Sequence, residues 1–185
     1  VAQTGTGKTL AFGLPMIQRL AQVKGQGLIL LPTRELALQV DEALHKLVKG
    51  LGLRSAVLIG GASMGPQLKA LRLKPHCIVA TPGRLNDHLE QKTADLSHVT
   101  ILVLDEADRM LDMGFLPQIK RILAKVPKER QTMLFSATLS REIMNIAASS
   151  MKLPISIEIA PQGTTAEKVT QEIYMVRKDA KLRLL

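Results

Sequence analysis

Six short apolar runs recur along the chain, at residues 27–31, 56–59, 77–80, 100–104, 132–135 and 155–159, and most are apolar throughout rather than at alternate positions. A strand with one wet face alternates, whereas a strand covered on both faces does not. Between the runs lie longer stretches, such as 34–51 and 140–151, in which Leu, Val, Ile and Ala return at helical spacing. Doubly buried strands separated by amphipathic helices imply right-handed βαβ units. The predicted class is therefore α/β, a parallel sheet with helices on both faces. With 185 residues the chain has room for one well-buried domain and not for two full ones. Aromatic residues are only 2% and Trp is absent, so Leu, Ile, Val, Ala and Met must build the core.

Charge narrows the partners. A formal net charge of +9 favours a polyanion such as nucleic acid. No apolar run reaches the ~18–20 residues that span a bilayer, and no signal peptide opens the chain. The single cysteine, Cys77, excludes an internal disulfide and is compatible with a reducing compartment. A soluble, cytoplasmic protein is expected.

Both ends read as cut. Val1 and Ala2 run straight into a glycine-rich loop that needs a strand before it. Residues 161–166 have linker composition, 170–177 read as a fresh strand and 178–185 as the first turns of a helix. The expected organisation is one domain at 1–160, a linker at 161–169 and the start of a second domain at 170–185.

The segment Ala2-Gln3-Thr4-Gly5-Thr6-Gly7-Lys8-Thr9 matches the phosphate-loop pattern, with Ala2 in place of the first glycine. Gly5 and Gly7 allow a tight turn whose successive N–H groups point at phosphate oxygens. A helix starting near Gly7 adds the positive end of its dipole. The expected nucleotide-binding set is Thr4, Gly5, Thr6, Gly7, Lys8 and Thr9. Lys8 would reach the β- and γ-phosphates of ATP, and the Thr9 hydroxyl would bind Mg²⁺. Taken alone, the segment also reads as a Gly/Thr-rich turn capping a helix.

A metal-binding carboxylate after a later buried strand decides between these readings. Ile101-Leu102-Val103-Leu104 is fully apolar and ends in Asp105-Glu106-Ala107-Asp108. A carboxylate at the carboxyl end of a parallel strand faces the crevice where ligands bind. Asp105 is expected to hold Mg²⁺ through water, and Glu106 to orient and deprotonate the attacking water. The competing reading, a surface acidic turn that caps the next helix, loses force once a phosphate loop stands upstream.

With these motifs in place the sequence resembles the DEAD-box RNA helicases of superfamily 2 over essentially its whole length. In order it carries the phosphate loop (motif I), Pro32-Thr33-Arg34-Glu35-Leu36-Ala37 (Ia), Gly60-Gly61, Thr81-Pro82-Gly83-Arg84 (Ib), Asp105-Glu106-Ala107-Asp108 (II) and Ser136-Ala137-Thr138 (III). The stretches 109–115 and 130–135 resemble bacterial RhlE-type members. The resemblance implies a RecA-like P-loop NTPase domain in which Asp108 contacts Ser136 and Thr138 and so couples ATP turnover to strand separation. Small hydroxyls at a strand end can hydrogen-bond a carboxylate without bulk. Read alone, Ser136-Ala137-Thr138 also suits an N-cap for the helix near Ser140.

The resemblance further implies that Thr33, Arg34, Gly60, Gly61, Thr81, Gly83 and Arg84 line an RNA-binding face. Hydroxyls, glycine-exposed N–H groups, helix N-termini and two guanidinium groups suit phosphate and ribose. Phe12, Phe115, Phe135 and Tyr174 are too scattered to form a stacking platform, so sequence-independent backbone binding is expected. Glu35 is expected to reach other loops rather than RNA. His45, His76, His88 and His98 have no metal-ligand spacing. The family's adenine-reading glutamine motif lies upstream of the phosphate loop, and its second RecA-like domain supplies arginine fingers. A nucleotide-switched RNA clamp and a DNA-directed superfamily 2 helicase remain the competing functions.

Overall fold

Successive side chains of a strand leave opposite faces of the sheet, and that rule sorts the apolar runs into two separate cores. The computed structural model describes residues 7–48 and 50–157. Five strands form there: β1 (Gln26–Leu30), β2 (Ser55–Leu58), β3 (Cys77–Ala80), β4 (Val99–Leu104) and β5 (Gln131–Leu134). They pair in the order β2-β3-β1-β4-β5, and every pairing is parallel. Leu28, Leu30, Ile78, Ala80, Leu102 and Leu104 supply one face. Ile29, Leu31, Cys77, Val79, Ile101 and Val103 supply the other. The three central strands therefore carry no polar face, and the two edge strands β2 and β5 are less completely buried.

The helices divide by face. On one side α1 (Lys8–Gln22) and α2 (Arg34–Val48) lay down Phe12, Met16, Ile17, Leu20, Ala37, Val40 and Leu44. On the other, beyond α3 (Met64–Arg72), lie α4 (Pro82–Glu90), α5 (Ala107–Asp112), α6 (Leu116–Leu123) and α7 (Arg141–Ser150). They bring Leu85, Met110, Ile119, Ile122, Ile143 and Ile146 to the sheet. Glycine sets how closely α1 lies on β1: a Cβ on Gly27 would stand 2.8 Å from Met16 Sδ. No helix among the described residues is long and apolar enough to cross a membrane.

One expectation needs correction. Residues 155–157, read as the start of a sixth strand, belong to no strand, and Ile155 is 86% exposed. A short apolar pattern makes a strand only where a pleated face can pack, so β-propensity alone decides little. Residues 158–159, the linker 161–169 and the second-domain start at 170–185 lie outside the described residues, as do Ala2, Thr4, Gly5 and Thr6.

One buried polar group has a consequence for stability. His88 is fully buried, with Nδ1 2.8 Å from Thr93 Oγ1 and Nε2 3.2 Å from Gln67 Oε1. Burial, helped by nearby Arg84 and opposed by Asp87, holds the imidazole below its ordinary pKa. The unfolded chain then takes up a proton that the folded chain refuses. Stability is full above the ordinary histidine pKa of about 6.5 and falls as pH drops below it. Denaturant titrations are expected to show a loss of up to about 1.4 kcal/mol per pH unit below that point. His88→Leu should flatten the slope.

Candidate nucleotide and RNA site at the carboxyl edge of the sheet

Five parallel strands deliver five loops to one edge, the position where open α/β sheets bind ligands. Pro32-Thr33-Arg34 follows β1, Gly60-Gly61 follows β2 and Thr81-Pro82-Gly83-Arg84 follows β3. Asp105-Glu106-Ala107-Asp108 follows β4, and Ser136-Ala137-Thr138 follows β5. Motifs far apart in sequence thus become neighbours through sheet order alone.

Lys8 opens α1 directly after Gly7, whose φ of 76° is left-handed and natural for glycine. Its Nζ stands 3.6 Å from Asp105 Oδ1, and the two side chains are 9% and 8% exposed. Burial raises the Asp105 carboxyl above the usual range. The Lys8 charge and the Glu106 N–H, which donates to Oδ1 at 3.0 Å, pull it back in part. Such a carboxylate is short of positive charge. Thr9, half-buried, is the next residue on α1. Among the described residues no cluster of three or more His, Cys, Asp or Glu could hold a metal. A cation beside Asp105 would therefore need phosphate, hydroxyl and water as its other ligands. Mg²⁺ with a nucleotide meets that demand, because it keeps much of its hydration and binds few carboxylates. Gly7 offers α1 no side-chain cap, which leaves first-turn N–H groups for an anion.

Glu106 has φ 51° and ψ 50°, a left-handed conformation unusual for glutamate. With Asp105 it turns the chain from β4 into α5 within two residues, and strain of this kind collects at functional sites. The turn is held by Ala107 N–H donating to the Phe135 carbonyl at 2.9 Å. The Glu106 carboxylate accepts from Arg109 Nη1 at 3.2 Å. Arg109 also helps Arg34 hold Glu35 below the usual carboxylate range, behind the larger effects of Glu35's own N–H and the Thr33 hydroxyl.

Asp108 bridges two strand ends. One oxygen, Oδ2, accepts from the N–H of Ala137 (3.0 Å), the N–H of Thr138 (3.0 Å) and the Thr138 hydroxyl (3.2 Å). The other accepts from Arg109 N–H at 3.0 Å. The expected pairing with Ser136 is absent: its hydroxyl donates to the Thr138 carbonyl at 2.7 Å instead. The reason is local, since a serine at a strand end readily closes its own turn and leaves the next N–H groups pointing outward. Helix α7 is capped by Ser140, whose hydroxyl accepts from Ile143 N–H. The capping reading of Ser136-Ala137-Thr138 is thereby displaced by one turn. Phe135 packs against Phe12 of α1, with ring centroids 5.5 Å apart, so the same strand end also touches the phosphate-loop helix.

The seven residues expected on the RNA face divide in two. Arg34 is exposed, and its guanidinium occupies the space a Cβ on Gly61 would need, while Gly61 itself has φ 72°. Thr33 accepts from Leu36 N–H and caps α2. Gly60 and Gly83 are half-buried. Thr81, 7% exposed, donates its N–H to Leu58, and Arg84 donates to the Ala62 carbonyl at 2.9 Å. These last two serve loop structure first. Sequence reading did not single out Arg109 or Gln67 and set His88 aside. The available signal was a glutamine and a histidine on the buried stripes of α3 and α4.

The fold and this arrangement define a RecA-like α/β domain. A family model described as DEAD/DEAH box helicase matches residues 1–146. The chain is 46% identical to the ATP-dependent RNA helicase CshA of Listeria monocytogenes, over 100% of this chain and 36% of that protein. It is 44% identical to the ATP-dependent rRNA helicase RRP3 of Debaryomyces hansenii, over 95% and 38%. Among solved structures it superposes on a DEAD box protein from the hyperthermophile Methanococcus jannaschii with TM-score 0.75 and 41% identity, covering 81% of this chain and 41% of that one. The yeast DEAD-box splicing factor Prp28 gives TM-score 0.78 at 36% identity, covering 82% and 38%. The chain belongs to the DEAD/DEAH box helicase family, and it spans little more than a third of the length of these curated relatives. Neither relative's name bears on the narrower RhlE-type resemblance.

Proposed function

We propose that the chain is the ATP- and RNA-binding domain of a cytoplasmic ATP-dependent RNA helicase, with a second RecA-like domain of the same protein closing over it. The carrying observation is that the Lys8–Asp105 pair and the Asp108–Thr138 bridge rise from adjacent strands, joined by Glu106 and Ala107. A nucleotide-sensing wall and a loop-to-loop coupling element are then parts of one hydrogen-bonded edge.

In this reading Lys8 neutralises the β- and γ-phosphates of ATP, cradled by the backbone of Thr4, Gly5, Thr6 and Gly7. Thr9 and Asp105 hold Mg²⁺, which when bound supplies charge that offsets the phosphate oxygens. Glu106 accepts the proton of the attacking water, so that ATP and water give ADP and phosphate. Thr33, Arg34, Gly60, Gly61, Thr81, Gly83 and Arg84 contact the sugar-phosphate backbone without reading bases. The net charge of +9 supports a polyanionic partner. Asp108 reports the nucleotide state to Ala137 and Thr138.

Arginine fingers from a second domain contribute roughly 10³–10⁵-fold to phosphoryl transfer in related enzymes. The purified chain alone is therefore expected to bind nucleotide weakly and to hydrolyse ATP poorly, while the complete protein shows RNA-stimulated turnover. Robust RNA-stimulated ATPase by the chain alone would remove the second domain from the proposal. Strand displacement by the complete protein separates a helicase from a clamp, which would bind RNA without displacing a strand.

A further inference from the structure

Two buried polar side chains that the nucleotide site does not use meet beneath the Gly60-Gly61 loop. Gln67 of α3 is 5% exposed and His88 of α4 is 0% exposed. The Gln67 amide nitrogen donates to the Ile59 carbonyl at 3.1 Å and the Ser63 carbonyl at 3.2 Å, the residues that bracket Gly60, Gly61 and Ala62. Both amide hydrogens are then used, and its oxygen, which can only accept, faces His88 Nε2 at 3.2 Å. Nε2 then carries the imidazole hydrogen, and Nδ1 stands 2.8 Å from the Thr93 hydroxyl, whose single hydrogen is shared with the His88 carbonyl at 3.1 Å. His88 lies on the same helix as Arg84, which ties down Ala62 between the two bracketing residues. The carbonyls of Ile59, Ala62 and Ser63 are thus all anchored to side chains of α3 or α4.

We propose that Gln67 and His88 are positioning residues for RNA, a buried strut that locks the Gly60-Gly61 loop and the Thr81-Pro82-Gly83-Arg84 turn into one rigid unit. The inference rests on the reading of these loops as RNA-binding. Burying a glutamine and a histidine is unfavourable unless their hydrogen bonds are made. Here the made bonds end on loop carbonyls, so what they secure is loop position. Loops already in their bound shape lose less conformational freedom when a ligand engages them.

The test uses the complete protein, a labelled single-stranded oligouridine for affinity, and RNA-stimulated ATPase. Gln67→Glu keeps the volume and the acceptor for His88 but removes both donations to the loop. Its RNA dissociation constant is expected to rise about tenfold. The KM for ATP and the kcat at saturating RNA should stay within about twofold of the parent. His88→Leu should act in the same direction. His88→Gln, which restores a donor to Gln67, should recover most of the affinity. If the core variants do not fold, Thr93→Val frees the imidazole from its other side and should weaken RNA about threefold. A folded Gln67→Glu protein with unchanged RNA affinity overturns the strut, as do ATP and RNA constants that worsen together. Arg34→Ala distinguishes the failures. If it weakens RNA while Gln67→Glu does not, only the strut is wrong; if neither does, the RNA reading falls with it.

Discussion

Glu106→Gln in the complete protein is expected to lower ATP hydrolysis by about 10²–10⁴-fold while nucleotide and RNA binding persist. Glutamine preserves the length and the acceptor facing Arg109 Nη1, so the 3.2 Å contact and the left-handed turn survive. It cannot take a proton from water. The substitution therefore isolates proton transfer from architecture, which Glu106→Ala would not. Phosphate release gives the rate, and fluorescence titration with a labelled nucleotide and a labelled RNA gives the two affinities. A loss smaller than about tenfold would assign the base to another group. Arg109→Ala is the natural companion, since it removes the partner and leaves the carboxylate.

Asp108→Asn is expected to cut strand displacement by at least about tenfold while ATP binding is unchanged. Every group around this carboxylate is a donor: the Ala137 and Thr138 N–H groups and the Thr138 hydroxyl on one oxygen, the Arg109 N–H on the other. An asparagine must turn its NH₂ toward one of these sets, and either choice sets donor against donor. ATP turnover should fall less than displacement, because Lys8 and Asp105 keep their 3.6 Å approach. Both rates are measured on the same preparation. Equal proportional losses would deny Asp108 a coupling role. A double-mutant cycle with Thr138→Val apportions the side-chain share, leaving the two backbone bonds as the remainder.

Much of this protein was legible in its residues. The unbroken apolar runs around Leu28, Val79 and Leu102 required strands with both faces covered, and a parallel sheet with helices on both sides is what forms. Gly7, Lys8, Asp105 and Glu106 stood out as candidates by type and spacing, because phosphate and metal chemistry demands small residues, a cation and carboxylates at particular positions. Local pattern failed where the outcome depended on distant atoms. Residues 155–157 have the composition of a strand and do not form one, and Ile155 is 86% exposed. The family resemblance paired Ser136 with Asp108, yet a hydroxyl has many acceptors within reach and its own turn supplied the nearest.

The sequence by itself determined the α/β class, the family resemblance and the residues of the phosphate loop and acidic motif. Only the tertiary structure decided that Asp108 grips the backbone of Ala137 and that Gln67 and His88 meet beneath Gly60 and Gly61. The physical reason is a difference in range. Periodicity and motif spacing act within one or two turns of chain, whereas these contacts join residues 21 and 29 positions apart. Which strand ends become neighbours is settled by the order β2-β3-β1-β4-β5, and sheet order emerges only when both cores close at once.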